Sequence, residues 1–343
     1  SEGLNMTKVL VTGATGFIAS HTILALIEKG YEVRGTARSA SKAEPLNATL
    51  STYAGKPIEV ELVSADLTRD EGWAEAMDGV TYLQHLASPF PTNVPKDPNE
   101  LILPAKDGAL RVLKAAKAAG VKRTVMTSSV AAIAYGWGDP RPALLNESHW
   151  SNPDNLKDNT SYTRSKTIAE KAAWDYVAGD GAGMELATIN PVAVLGPAMS
   201  GDVSASLELV MQPMLNKVPA FPKLSFGIVD VRDVALAHVA AMEKPDAAGE
   251  RFIVGERVLS FTQIGDVLRD AYPDRKLPKG DLPSWLVRML TLVNPTLKQI
   301  VPELEKERAF SNEKSKSMLG INYIPAEEAI LASTDSLIQL GAL

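Results

Sequence analysis

Lys8-Val9-Leu10-Val11-Thr12-Gly13-Ala14-Thr15-Gly16-Phe17-Ile18-Ala19 is an apolar run that ends in a glycine turn and opens at once into helical spacing. Lys8 to Val11 reads as a strand. From Phe17 to Lys29 the residues Phe17, Leu24 and Ile27 fall on one helical face, and Gly30 stops the helix. Strand, tight turn and helix form the context in which a glycine fingerprint points to a dinucleotide. Gly13 permits the sharp turn, and Gly16 lets backbone N–H groups reach a pyrophosphate at the positive end of the helix. Thr15, Phe17 and Ile18 lie in the same turn and are read with the glycines as cofactor contacts. Ala19 stands where a third glycine is common, and a methyl fits there because the position serves packing.

The alternation continues outward from this unit. Strands are expected at Glu32 to Thr36, Ile58 to Val63, Tyr82 to Leu86, Arg123 to Thr127 and Glu185 to Ile189. Helices are expected from Arg69 to Met77 behind a Thr68/Glu71 capping box, from Leu101 to Ala119 and from Ser161 to Val177. Strands that alternate with helices predict an α/β fold with a doubly wound parallel sheet of the Rossmann type. After Pro191 the pattern loosens, and a second, smaller, mixed substrate lobe is expected. The dinucleotide-binding part is read as 6–194 plus 227–255, including a late strand Arg251 to Val254, and the substrate lobe as 195–226 plus 256–343. Substrate then sits between the lobes. Residues 1–5, ahead of Met6, read as an expression remnant.

Composition narrows the partners. The 343 residues are 45% hydrophobic and 22% charged, which is ordinary for a globular protein that needs no staple. A net charge of -6 speaks against a nucleic acid, whose phosphates call for a basic face. There is no cysteine, which excludes thiol chemistry and fits a reducing compartment, so the cytoplasm is the expected location. No apolar run approaches the roughly 18 residues of a membrane helix, so no membrane partner is expected. His21, His85, His149 and His238 are scattered with no i, i+4 pair, and no metal is expected. A small-molecule enzyme, monomer or homodimer, remains.

An acidic residue that would bond an adenosine ribose belongs about 20 residues beyond the glycines, at the end of the second strand. The chain has Thr36-Ala37-Arg38 there. Without a carboxylate to repel a 2′-phosphate, and with a guanidinium fork to grip it, the segment predicts NADPH/NADP, with Lys42 as a second cation. The plainer reading makes Arg38 a solvated charge. Asp66-Leu67, ending the third strand, either meets adenine or is a loop before Thr68. Ala87-Ser88-Pro89, after the fourth strand, either passes beside the cofactor or is a plain turn.

Tyr162 and Lys166 lie four apart on one face of a helix, and Thr127-Ser128-Ser129 ends the strand before it. Reducing a carbonyl needs a hydride and a proton, and a free tyrosine of pKa about 10 is a poor proton donor and base at neutral pH. A lysine beside it favours the phenolate and lowers that pKa. Ser129 would orient the carbonyl oxygen and stabilise its charge. A second pair, Tyr272 and Lys276, has Pro273 directly after the tyrosine and reads as loop. Asp230 and Asp233 precede an apolar helix from Val234 to Met242 and read first as caps. Met199, Leu207, Met211, Met214, Phe221 and Phe226 either line an adaptable pocket or pack the smaller lobe.

Taken together, these residues resemble the extended short-chain dehydrogenase/reductase family over nearly the whole chain. The likeness is carried by Thr12 to Ile18, Asp66-Leu67, Thr127-Ser128-Ser129, Tyr162 with Lys166, Pro191 with Gly196-Pro197, and Asp230-Val231-Arg232-Asp233-Val234. Arg34-Gly35-Thr36-Ala37-Arg38 and Glu147-Ser148-His149-Trp150 are similar to dihydroflavonol reductases and to yeast-type methylglyoxal and ketone reductases. The resemblance implies NADPH, catalysis by Ser129, Tyr162 and Lys166, cofactor contacts from Thr127, Tyr162 and Lys166, and Pro191 and Val194 near the nicotinamide. Ala134 departs from the plant flavonoid enzymes, which carry a substrate-binding Asn five residues after the catalytic serine, and this speaks against a flavonoid. Two other readings are weighed. A nucleotide-sugar epimerase or dehydratase with bound NAD is disfavoured by Ala37-Arg38 and by only two cations, Lys217 and Lys223, in 195–231. A non-catalytic NADP-sensing protein has no need of the Ser, Tyr, Lys set.

Overall fold

The computed structural model describes residues 6–89, 95–201 and 204–343, so the reading of residues 1–5 lies outside the described residues. Strand and helix alternate through β1 (Lys8–Thr12), α1 (Phe17–Glu28), β2 (Glu32–Ala37), α2 (Ala43–Ala54), β3 (Glu61–Ser64), α3 (Trp73–Met77) and β4 (Tyr82–His85). They go on through α4 (Asn99–Ala118), β5 (Arg123–Thr127), α5 (Ser161–Ala178) and β6 (Glu185–Pro191). Thereafter come β7 (Ala193–Leu195), α6 (Glu208–Met214), β8 (Phe221–Pro222), β9 (Ser225–Asp230), α7 (Val231–Glu243) and β10 (Arg251–Val254). The chain closes with β11 (Arg257–Ser260), α8 (Phe261–Ala271), β12 (Asp281–Leu282), α9 (Ser284–Leu290), α10 (Glu313–Leu319) and α11 (Ala326–Gln339).

Seven strands form one sheet in the order β10-β6-β5-β4-β1-β2-β3, every neighbour parallel. Chain order reverses between β1 and β4, so the crevice for a ligand lies beyond the carboxyl ends of those two strands. Both faces are covered. Val9 and Val11 pack with Ile23 and Leu26 of α1 and Val234 of α7, while Leu10 packs with Trp73 of α3 and Val112 of α4. This is why β1 is a continuous apolar run and not an alternating one.

A smaller mixed sheet, β11-β9-β7, pairs β9 antiparallel to β11 and parallel to β7. Its cluster holds Leu207, Met214 and Phe221, with Met211 and Phe226 packed against it, whereas Met199 packs on the larger cluster. Of the apolar residues offered as a pocket lining, Leu207, Met214 and Phe221 are buried in packing and Met199, Met211 and Phe226 are half-buried. Among the described residues no helix is long and apolar enough to cross a membrane.

Two local expectations fail for physical reasons, and one element was not expected at all. The Thr68/Glu71 capping box is absent: Thr68 bonds to Asp66 through both its N–H and its hydroxyl. The helix starts instead behind Gly72, whose φ of +89° and tight seat on the Ser64 carbonyl only glycine tolerates. Residues 58–60 do not belong to β3 because α2 takes their backbone: Ser51 bonds both sides of Ile58, and Asn47 both sides of Val60. The unexpected element is α2 itself, which has only Leu46 and Leu50 buried and so lacks the usual apolar stripe. Asp230 does cap α7, accepting the Arg232 N–H at 2.8 Å, but the helix begins at Val231 and Asp233 lies within it. Burial pushes the Asp233 carboxyl up to about 6, while the Ile324 N–H it accepts pulls the other way.

Candidate active site

Gly13 sits at the crevice with φ +61°, and a Cβ there would lie 3.0 Å from the Ala87 Cα, so the glycine turn and the β4 edge touch. The neighbouring Thr12 ties the same two strands. Its hydroxyl accepts the N–H groups of Leu86 and Ala87, each at 2.9 Å, which leaves its proton for His85 Nδ1 at 2.8 Å. Burial pushes His85 down to about 4, so it stays neutral and accepts. Gly35 admits the turn from the other side, since a Cβ there would meet Ala14 at 2.6 Å. Gly16 caps α1 without a side-chain partner, leaving the first-turn N–H groups at Phe17 and Ile18 to an anion, with Thr15 exposed just ahead.

At the end of β2, Arg38 is exposed, and Lys42 is exposed in the short turn that follows. Neither side chain has a hydrogen bond or ion pair among the described residues. Arg34, by contrast, is structural: its Nε bonds Glu61 at 2.9 Å and its Nη1 bonds the carbonyls of Ala76 and Asp78 at the end of α3. Asp66 is held low by the two bonds from Thr68. Leu67 packs over Gly108 and, with Ala87, Ser88, Pro89, Thr127 and Lys166, lines a small pocket at the sheet edge.

On the other side of the crevice α5 presents Tyr162 and Lys166. Its start is fixed by a reciprocal cap, Thr160 to Thr163 and back, which the sequence reading did not single out. Tyr162 is 43% exposed, and the Lys166 ammonium lies 5.6 Å from its ring centre. Lys166 Nζ donates to Ser88 Oγ at 3.1 Å, which joins the segment after β4 to α5. Ser129 follows β5, and its Oγ accepts the Ala131 N–H at 3.0 Å, so its own proton is free to be given away. The Thr127 hydroxyl is engaged elsewhere, at 2.6 Å from His238 Nε2. Because His238 Nδ1 faces the Val234 carbonyl, that bond must run from Thr127 to His238. Pro191 is buried at the end of β6 beside Val254, and Val194 is buried in β7 beside Val229.

The turn after Ser129 is clamped carbonyl by carbonyl. Ala131 O accepts from Ser151 Oγ at 2.6 Å and Thr167 Oγ1 at 3.3 Å, Ile133 O from Trp137 Nε1 at 2.9 Å, and Ala134 O from Arg308 Nη1 at 2.8 Å. Arg308 is itself held by Asp158 at 2.9 Å and Glu303 at 3.1 Å. None of these partners was singled out in the sequence, since a backbone acceptor leaves no mark on it. Tyr272, the other tyrosine of an i, i+4 pair, ends α8 and bonds Asp335 of α11.

A seven-stranded parallel sheet with a glycine turn at its switch point defines a dinucleotide-binding protein of the Rossmann class. The chain belongs to the NAD dependent epimerase/dehydratase family, the extended short-chain dehydrogenases/reductases, whose family model matches residues 9–255. It is 35% identical over 334 residues to a cinnamoyl-CoA reductase of Medicago truncatula, covering 96% of this chain and 95% of that one. It is 36% identical over 359 residues to a putative NADPH-dependent methylglyoxal reductase of Candida albicans, covering 97% and 98%. Among solved structures, the yeast methylglyoxal/isovaleraldehyde reductase complexed with NADPH is similar with a TM-score of 0.79 and 30% identity, covering 98% of this chain and 100% of that one.

Proposed function

We propose that this chain reduces a small aldehyde or ketone to the alcohol, with Tyr162 as proton donor, Lys166 as its electrostatic partner and Ser129 as the group that orients the carbonyl. The chain is an NADPH-dependent carbonyl reductase, the class that its curated relatives represent. Bound NADPH supplies the hydride. The glycine turn fits such a cofactor: Gly13, at φ +61°, and Gly35 let it seat tightly beside Ala87 and Ala14, and the start of α1 that it presents has no side-chain cap. Thr15, Gly16, Phe17 and Ile18 would hold the pyrophosphate, Arg38 and Lys42 the 2′-phosphate, and Asp66 and Leu67 the adenine. Ala87, Ser88, Pro89, Thr127, Pro191 and Val194 would border the nicotinamide end.

The observation that carries the reading is the free proton of Ser129. Its oxygen already accepts the Ala131 N–H and its proton has no partner among the described residues, so the hydroxyl is available to donate to a further oxygen, which suits a carbonyl gaining negative charge. The Tyr162 hydroxyl then gives its proton to that oxygen. Lys166, held by Ser88 below the phenol ring, stabilises the negative charge left on Tyr162. The test is NADPH consumption with a panel of aldehydes, ketones, diketones and CoA thioesters. Turnover of small carbonyls is expected. Turnover confined to CoA thioesters, or copurified NAD with no reductase signal, overturns the substrate assignment.

A further inference from the structure

The buried charges nearest the site take no part in that chemistry. Glu170, one helical turn beyond Lys166 on α5, is fully buried. Its Oε2 accepts Arg251 Nε at 2.6 Å and Trp174 Nε1 at 3.0 Å, and its Oε1 accepts Asn190 Nδ2. The same Nδ2 of Asn190, also fully buried, donates to the Ser129 carbonyl at 3.1 Å. Thr188 Oγ1 lies 3.0 Å from Asn190 Oδ1. Only this orientation of the amide satisfies all three neighbours, since a carboxylate and a carbonyl both require a donor. Arg251, from β10, spreads its remaining donors over the carbonyls of Glu147 at 3.0 Å, His149 at 2.7 Å and Ala132 at 3.4 Å, and stacks 3.7 Å over Trp150. The Glu147 to Trp150 segment, for which the reaction has no use, is thereby explained as the outer wall of this cluster.

We infer that Asn190 and Glu170 are positioning residues that fix Ser129 relative to Tyr162 and Lys166. The inference rests on the proposed role of Ser129. A helix that carries two reacting groups and a turn that carries the third need a common reference, and Glu170 and Asn190 supply it: one carboxylate on α5 orients one amide on β6, and that amide holds the residue itself. Loss of Asn190 lets the Ser129 backbone drift, and a shift of about 1 Å in a reacting group costs on the order of 100-fold. The pyrophosphate and 2′-phosphate contacts read onto β1, α1 and the end of β2 lie on other elements, so most of the NADPH affinity is expected to survive.

The test is a double-mutant cycle with Ser129→Ala, Asn190→Ala and the pair, read as kcat, NADPH affinity and the enantiomeric excess of product from a prochiral ketone. Asn190→Ala is expected to lower kcat by about 10- to 100-fold and to lower the enantiomeric excess, with most of the NADPH affinity kept. Added to Ser129→Ala, it is expected to cost nothing further, because a residue acting only through another cannot add to its loss. Additive losses, or a fall in NADPH affinity that parallels kcat, overturn the inference and leave a general structural role. If Asn190→Ala does not fold, Thr188→Val frees the amide to turn and is expected to show the same selectivity loss in milder form. Full selectivity in that variant also overturns it. An active Ser129→Ala enzyme would end the catalytic reading instead, so the two failures are distinct.

Discussion

At the Ser129 end of the cleft, carbonyl after carbonyl is held by a side chain from a distant element. At the Arg38 end, two cations stand in solvent with no partner among the described residues. The contrast follows from what each end must recognise. A hydride and a proton cross short, directed distances, so the groups that receive them need fixed positions. A phosphate dianion is drawn in by charge, which reaches several ångströms and tolerates a mobile partner until salt screens it. Order is thus concentrated where direction matters.

The most severe way to break the contrast is at the ordered end. Tyr162→Phe is expected to keep NADPH affinity and lose about 100- to 10,000-fold in kcat, the scale of a lost proton donor. Lys166→Met should cost both, since the proposed role of Lys166 includes a contact to the cofactor. An active Tyr162→Phe enzyme, measured by NADPH consumption, removes the assignment.

The fold also rests on buried neutral histidines. Burial lowers His21, His85 and His238 to about 4, each from an ordinary 6.5. The unfolded chain takes up these protons below 6.5 and the folded chain only below about 4. Their stabilisation is therefore intact above pH 6.5 and is lost as pH falls toward 4, by about 3 kcal/mol for each histidine. Asp233, raised to about 6, acts in the opposite sense, losing its contribution as pH rises from 3.8 through 6. Urea unfolding midpoints should drop steeply from pH 6.5 to 4.5, and a flat profile would contradict the buried, neutral state of these rings.

At the open end the effects are smaller and depend on salt. A hydrogen bond to a charged group contributes about 1.5 to 3 kcal/mol, so Arg38→Ala should weaken NADPH by roughly 10- to 100-fold and leave NADH nearly unchanged. Ala37→Asp should go further, since a carboxylate there repels the phosphate and accepts from a ribose hydroxyl. The ratio of kcat/KM for the two coenzymes at fixed ionic strength decides it, and an unchanged ratio for Arg38→Ala would make Arg38 a mere surface charge. Least of all should follow from Tyr272→Phe, whose hydroxyl bonds Asp335 far along the chain: wild-type turnover is expected, as it is with a zinc chelator.

This division also governs what the sequence could disclose. Glycines at Gly13 and Gly16, the apolar β1 and the Tyr162, Lys166 spacing each carry a local signature, and so does the absence of a carboxylate at Ala37. The clamp does not. Ser151, Arg251 and Arg308 act on backbone carbonyls more than 15 residues away in the chain, and nothing about an alanine at Ala131 or Ala134 announces that its carbonyl is taken. The α2 helix was hidden for a related reason, since its Asn47 and Ser51 are spent on the neighbouring backbone and leave only two leucines to show a period. Gly72 misled through its neighbours: Thr68 and Glu71 have capping spacing, but the backbone turns at the glycine.

The crossing after β6 has a consequence for the order of synthesis. The Gly196 N–H is received by Ser333 Oγ, 137 residues later in the chain, and the Ala198 N–H by Ser336, 138 residues later. His21 of α1, in turn, bonds the carbonyl of Pro197 between them. A nascent chain can therefore lay down the glycine turn and most of the parallel sheet as it emerges, yet the N–H groups of Gly196 and Ala198 do not meet their partners until α11 has been made. The last helix acts as a latch that is fitted after the machinery it secures.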